Sequence, residues 1–314
     1  MKLYLNPIYT TRNKYPKRNK WIRVFVIVIL IHLIGFAYYL NFKKDKNILS
    51  DDMPSQTSQI IPKQEIDNII PKNKINEDYS SIIDLIENNE LENAYNLIIS
   101  KNCESKEIID RFCKANMNNL IAKNDKFNKT WYVVQSGDSL SKIKKKFNTT
   151  IELIKLLNDR KTDLIRVGER LLVFKGSNKN NENTFSINVS KSKNTLDLML
   201  NQKLFKRYSV GTGKFGKTPE VDFFVYDKIE EPPWTRPSDN KVIEYGDPEN
   251  VLGTRWFALK SPTNPELTGF GIHGTWERDS IGYQSSDGCV RMFNEDVEEL
   301  FKLIPRNTIV KIVQ

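Results

Sequence analysis

The hydrophobic pattern divides the chain into stretches of different period. Residues 24–40 are almost unbroken apolar, and Ile22 and Phe42 extend the run. Some 20 residues at about 1.5 Å each match a hydrocarbon core of roughly 30 Å. Trp21, Tyr38 and Tyr39 stand at its two ends, where interfacial aromatic rings belong. A single membrane-spanning helix is therefore expected over 22–42, behind a tail at 1–21. Residues 43–78 are polar, contain Pro54, Pro62 and Pro71 and keep no period, which reads as a flexible spacer. From Tyr79 the apolar positions fall at helical spacing. Ile82, Ile83, Leu85 and Ile86 form one stripe, Leu91, Ala94, Tyr95, Leu97 and Ile98 a second, and Ile108, Ile109, Phe112, Met117, Leu120 and Ile121 a third. They predict a small module of three short helices within 79–128.

Residues 131–175 read strand, helix, helix, strand. After a β-rich start, Ser136-Gly137-Asp138-Ser139 supplies a turn and a helix start. Leu140, Ile143 and Phe147 share one helical face. Thr149 or Thr150 begins a second helix, with Ile151, Ile154 and Leu157, that ends near Asn158 before a strand at 171–174. The polar stretch 177–183 is a linker. Beyond it, 185–189, 196–200, 204–210, 221–226, 256–259 and 308–313 have strand composition. One helix is expected at 294–304 with Asn294 as its N-cap, and the proline-rich piece 231–237 is expected to be loop. The fold class is thus multidomain: a single transmembrane helix, an α-helical module, an α+β domain of βααβ order, and a mainly-β domain over 184–314.

Charge sharpens this division. The net charge of +9 arises on the N-terminal side, where the first fifty residues hold ten Lys/Arg against one acid. Nucleic-acid binding needs a basic face on a folded domain, so the charge is better explained as a tail beside a membrane. Seven of the ten precede the apolar run, which keeps the N-terminus in the cytoplasm and exports everything after residue 42. A cleaved signal peptide is the competing reading, but residues 38–43 offer no small-x-small site. With only two histidines, His32 and His273, and no Cys-x-x-Cys pair, no metal site is expected. Cys103 and Cys113 are either bridged outside the cytoplasm or buried as small hydrophobes. Either way Cys289 is the odd thiol.

Gly211-x-Gly213-x-x-Gly216 formally matches a dinucleotide fingerprint, but it leads into a strand instead of the helix that would receive a pyrophosphate. The chemistry concentrates in Ile272-His273-Gly274-Thr275 and Ser285-Ser286-Asp287-Gly288-Cys289-Val290-Arg291. A thiol with a pKa near 8.5 needs a neighbouring imidazole to be substantially thiolate at neutral pH. Backbone N–H groups at Gly288 and Cys289 could hold an oxyanion, and Arg291 could fix a substrate carboxylate or brace the loop. On residue types alone, a core imidazole and an inert thiol fit almost as well.

Two resemblances extend this reading. Tyr132-Val133-Val134-Gln135-Ser136-Gly137-Asp138-Ser139-Leu140, with Asn158 and Val167-Gly168-Glu169-Arg170-Leu171, resembles a LysM domain. This implies binding of N-acetylglucosamine-containing glycan, here peptidoglycan, around Gly137, Asp138, Ser139 and Asn158. His273-Gly274-Thr275 followed by Ser286-Asp287-Gly288-Cys289-Val290-Arg291 resembles the signature of the L,D-transpeptidase (YkuD) catalytic domain, and the likeness runs through most of 184–314. It implies Cys289 as nucleophile, His273 as base, the Gly274 carbonyl orienting the imidazole, and Ser286, Gly288 and Arg291 shaping the oxyanion and substrate site, with no cofactor. Many members have a second histidine where this chain has Asp287, and a glycine where it has Val221.

The expected protein is a membrane-anchored, extracytoplasmic enzyme. It would take an acyl group from a tetrapeptide stem of peptidoglycan, release D-alanine and pass the acyl group to an amine, forming 3→3 cross-links. Two rivals remain at this stage. A sortase-like transpeptidase also orders His, Cys, Arg, but usually carries Thr-Leu-x-Thr-Cys. A non-catalytic peptidoglycan-binding protein would have no need of both Cys289 and His273.

Overall fold

A computed structural model describes residues 79–124, 126–176 and 184–314. The expected span at 22–42, its tail and spacer, and the linker at 177–183 lie outside them. Among the described residues no helix is long and apolar enough to cross a membrane.

Three helices come first: α1 Ser80–Glu87, α2 Leu91–Ser100 and α3 Lys106–Ile121. Their apolar stripes meet around Ile82, Ala94, Ile98, Ile109 and Phe112. Cys103 and Cys113 are buried in this cluster as free thiols. The strand–helix–helix–strand unit follows, as β1 Lys129–Val133, α4 Leu140–Lys146, α5 Ile151–Leu157 and β2 Arg170–Phe174. The side chains of Ser139 and Thr150 cap the two helices, accepting from Lys142 N–H at 3.2 Å and Leu153 N–H at 2.8 Å. The strands pair antiparallel, Trp131 opposite Leu172.

The rest of the chain is a barrel. Its strands are β3 Phe185–Ser190, β4 Thr195–Leu200, β5 Lys203–Gly213, β6 Asp222–Glu230, β9 Arg255–Lys260, β10 Gly271–Thr275, β12 Val290–Phe293 and β13 Ile309–Val313. The order β5-β12-β10-β9-β6-β13-β3-β4 closes through a further β4–β5 pairing, and the short β11 Gln284–Ser286 is added outside β5. Closure removes the exposed edges that an open sheet would leave. Alternation along β3 and β4 turns Phe185, Ile187, Val189, Leu196, Leu198 and Leu200 inward. Helix α6, Asn294–Leu303, adds Val297, Leu300 and Phe301 to the core.

Two expectations change here. The proline-rich piece is not all loop: β7 Trp234–Thr235 pairs with β8 Val242–Ile243 in a separate hairpin. Asn294 is the first residue of α6 and does not cap it; its Oδ1 instead accepts from Thr254 N–H at 3.1 Å. A further feature could not be read from the linker. Leu153, Leu157, Leu172 and Phe174 belong to the same apolar cluster as the barrel strands, and Thr150 Oγ1 donates to Lys302 O. The βααβ unit is therefore packed against the barrel through a shared core.

Candidate active site

His273 occupies the middle of β10. The ladder sets it opposite Arg291 of β12 on one side and Trp256 of β9 on the other. Cys289 immediately precedes β12, so the two parallel strands carry both groups to one end of the sheet. A cavity of about 460 Å³ is lined by His273, Cys289, Ser286, Asp287, Arg291 and Trp256. Its other wall comes from the hairpin segment, through Pro232, Trp234 and Leu252.

The imidazole is buried, with the Trp256 ring stacked on it at 5.6 Å between centroids and 28° between planes. His273 Nδ1 lies 2.6 Å from Gly274 O. A carbonyl only accepts, so Nδ1 carries the proton and Nε2 keeps its lone pair. Burial pushes the imidazole down to about 4, against the raising effect of this hydrogen bond. Gly274 O also accepts from Gly253 N–H at 2.9 Å. A Cβ at Gly274 would stand 2.1 Å from Asn294 Oδ1, so the strand fits only as glycine.

The Cys289 thiol is half-buried and lies 3.6 Å from Gly269 O. Burial pushes it up to about 11. No hydrogen bond joins it to the His273 ring among the described residues. Both shifts favour neutral thiol and neutral imidazole in the resting pair. The physical reason is desolvation, which penalises both charged forms in the same cavity.

The loop before Cys289 is fixed from three sides. Gly288 has φ +135°, where a side chain is strained, and a Cβ there would meet Phe270 at 2.9 Å. Its N–H donates to Ser286 Oγ at 3.1 Å, and that hydroxyl donates to Cys289 O at 2.6 Å. The Gly288 N–H expected to face an oxyanion is thus already engaged. Gly288 O accepts from Thr218 Oγ1 at 2.8 Å, which itself accepts from Gly213 N–H at 2.7 Å. The sequence reading gave the buried Thr218 no role.

Arg291 is paired with Glu277 at 2.7 Å, its side chain largely covered. Asp287 is exposed and pairs with Lys217 at 2.7 Å and Lys214 at 3.5 Å, which hold its carboxyl below the usual range. The four glycan-binding candidates divide. Gly137, at φ +80°, and Ser139 are exposed in one turn with the half-exposed Asp138, which accepts from Tyr132 OH at 2.7 Å and Gln135 N–H at 2.8 Å. Asn158 is turned inward. Its Nδ2 donates to Ile154 O and Leu172 O, at 2.7 and 2.8 Å, and its Oδ1 accepts from Leu172 N–H at 2.8 Å. Its amide is used up tying α5 to β2, which corrects its assignment as a ligand contact.

Comparison with known proteins places these features in a family context. Residues 184–312 match the L,D-transpeptidase catalytic domain (YkuD), and residues 132–174 match the LysM domain. The putative L,D-transpeptidase YqjB of Bacillus subtilis (strain 168) is 41% identical over 126 residues, which cover 40% of this chain and 68% of that protein. The putative L,D-transpeptidase YkuD of the same organism is 29% identical over 182 residues, 58% of this chain and 97% of that one. Among solved structures, the catalytic domain of an E. faecium L,D-transpeptidase acylated by ertapenem is 22% identical, covering 41% of this chain and 97% of that one, with a TM-score of 0.33.

Proposed function

Because the chain belongs to the L,D-transpeptidase family, we propose that Cys289 and His273 carry out acyl transfer between peptidoglycan stem peptides. One observation carries the assignment of roles: the bond from His273 Nδ1–H to Gly274 O leaves Nε2 as a free base on the cavity that Cys289 lines. As Cys289 Sγ adds to the carbonyl of the stem's third residue, Nε2 takes the thiol proton in the same step, since neither group is charged beforehand. Cys289 N–H donates to the oxyanion. The tetrahedral species collapses with cleavage of the C–N bond, and the imidazolium returns its proton to the departing D-alanine amine. An acceptor amine then attacks the thioester and loses a proton to His273. The sulfur leaves and is reprotonated, giving a 3→3 cross-link. Gly274 positions the imidazole, and Ser286 and Gly288 shape the loop. Arg291, braced by Glu277, offers a cation to a stem carboxylate.

The LysM domain supports a peptidoglycan partner, with the Gly137-Asp138-Ser139 turn as its contact. Docking on the barrel gives the glycan a set place relative to the cavity, where a loose tether would give only raised local concentration. The basic tail at 1–21 and the apolar run at 22–42 support a single-pass anchor, N-terminus inside, with both domains outside the cytoplasmic membrane.

Incubation with disaccharide-tetrapeptide muropeptides, followed by mass spectrometry, tests the reaction. Dimers with loss of D-alanine are expected, and Cys289→Ala is expected to lower their formation by about 10³-fold or more. An unchanged product set in that variant overturns the mechanism.

A further inference from the structure

A second cavity, of about 600 Å³, opens between the helical module and strands β4 and β5, and shares no lining residue with the Cys289 cavity. Asn116 of α3 lines it and is 95% buried. Its Nδ2 donates to Leu204 O at 3.4 Å and Phe205 O at 3.1 Å. The register of β4 against β5 shifts between Leu198 and Met199, pairing them with Lys206 and Leu204, so Phe205 is the extra residue of a bulge. Both carbonyls only accept, so the amide cannot be turned round. That orientation leaves Asn116 Oδ1 with no donor among the described residues, and the oxygen keeps access to the cavity, where a ligand N–H can reach it.

The walls are aromatic. Tyr95 stacks on Phe112 at 6.2 Å, and Phe127 meets Phe205 edge-on at 5.7 Å. Phe127 and Asn128 are consecutive residues at φ +58° and +50°, a conformation that costs free energy without glycine and that persists where surrounding packing enforces it. The mouth carries Glu90 and Glu92 against Lys126 and Lys203, with Lys203 paired to Glu92, and the reciprocal amide pair Asn89–Asn119. Its charges cancel.

We infer that this cavity binds an N-acetylated amino sugar of the wall glycan. The acetamido N–H is donated to Asn116 Oδ1, its methyl group packs among the phenyl rings, and the sugar hydroxyls meet the amides at the mouth. An acetamido group offers one donor beside one apolar carbon, which this floor and these walls match. A stem peptide brings several carboxylates, for which a mouth without net positive charge holds no attraction. The choice of a wall sugar rests on the peptidoglycan reading above; the unpartnered oxygen and the rings do not. The helical module would thus add a glycan contact beside the LysM turn.

The full chain in detergent micelles, treated with a diazirine-bearing N-acetylglucosamine tetramer and mapped by peptide mass spectrometry, provides the test. Label is expected in residues 89–95 or 126–128, competed by the unmodified tetramer and not by a glucose tetramer. Tyr95→Ala is expected to lower that label about tenfold. Asn93→Trp, an exposed substitution that fills the mouth without touching the core, is expected to do the same while sparing label on residues 131–175. Label confined to 131–175, or unmoved by Asn93→Trp, overturns the inference. Muropeptide dimer formation by the same preparation reads the transpeptidase proposal separately, so failure of one is distinguishable from failure of the other.

Discussion

Burial and the bond to Gly274 act on His273 in opposite directions, and burial prevails, bringing the imidazole to about 4. The base is the neutral ring, so activity is present above that pKa and is lost as pH falls through it. The acid limb of kcat/KM for acylation is expected near 4 and not near the ordinary 6.5. Trp256→Ala, which uncovers the ring, should move the limb toward 6.5. A limb already at the ordinary value in the wild type contradicts the lowering by burial. The thiol gives an independent reading. With Cys289 pushed up to about 11, iodoacetamide labelling at neutral pH should be slow and should rise about tenfold per pH unit up to 10. Fast, pH-independent labelling would mean a preformed thiolate.

Strands and helices place these atoms through contacts that local propensity does not describe. All five residues of β10 are buried, so Gly271-Ile272-His273-Gly274-Thr275 shows no alternation and carries two glycines that weaken a strand signal. It was legible as chemistry and not as a strand. Strands β3 and β4 were legible because one face is covered and the period of two survives. Asn294 shows the opposite error, since a good capping residue at a helix start was diverted to the backbone just before β9. Asn294→Ala is therefore expected to leave α6 intact while removing the acceptor of Thr254 N–H. The expected cost is about 1–3 kcal/mol, with a parallel fall in acylation rate as the backbone around Gly253 and Gly274 loosens. Asn294→Asp, which keeps the acceptor oxygen, should restore both thermal midpoint and rate.

At the scale of the molecule, a barrel, a LysM domain docked on it and a helical module share their apolar surfaces. The proposed anchor adds the membrane. Deleting residues 1–42 should move the protein from the membrane fraction to the soluble fraction without changing muropeptide turnover in detergent; continued sedimentation with membranes would refute the anchor.

The sequence by itself determined the kinds of atoms available and the succession of domains. One imidazole outside the apolar run, one thiol in a Gly-Cys-x-Arg setting, and apolar periods of 3.6 and 2 are all local properties of the chain. Only the tertiary structure decided the state in which those atoms are held. Trp256 covers the imidazole, Ser286 takes the Gly288 N–H, Thr218 pins the Gly288 carbonyl and α5 consumes Asn158. Proton affinity and free hydrogen-bonding capacity depend on desolvation and on partners brought together by folding, some from far along the chain, and no spacing along the chain encodes them.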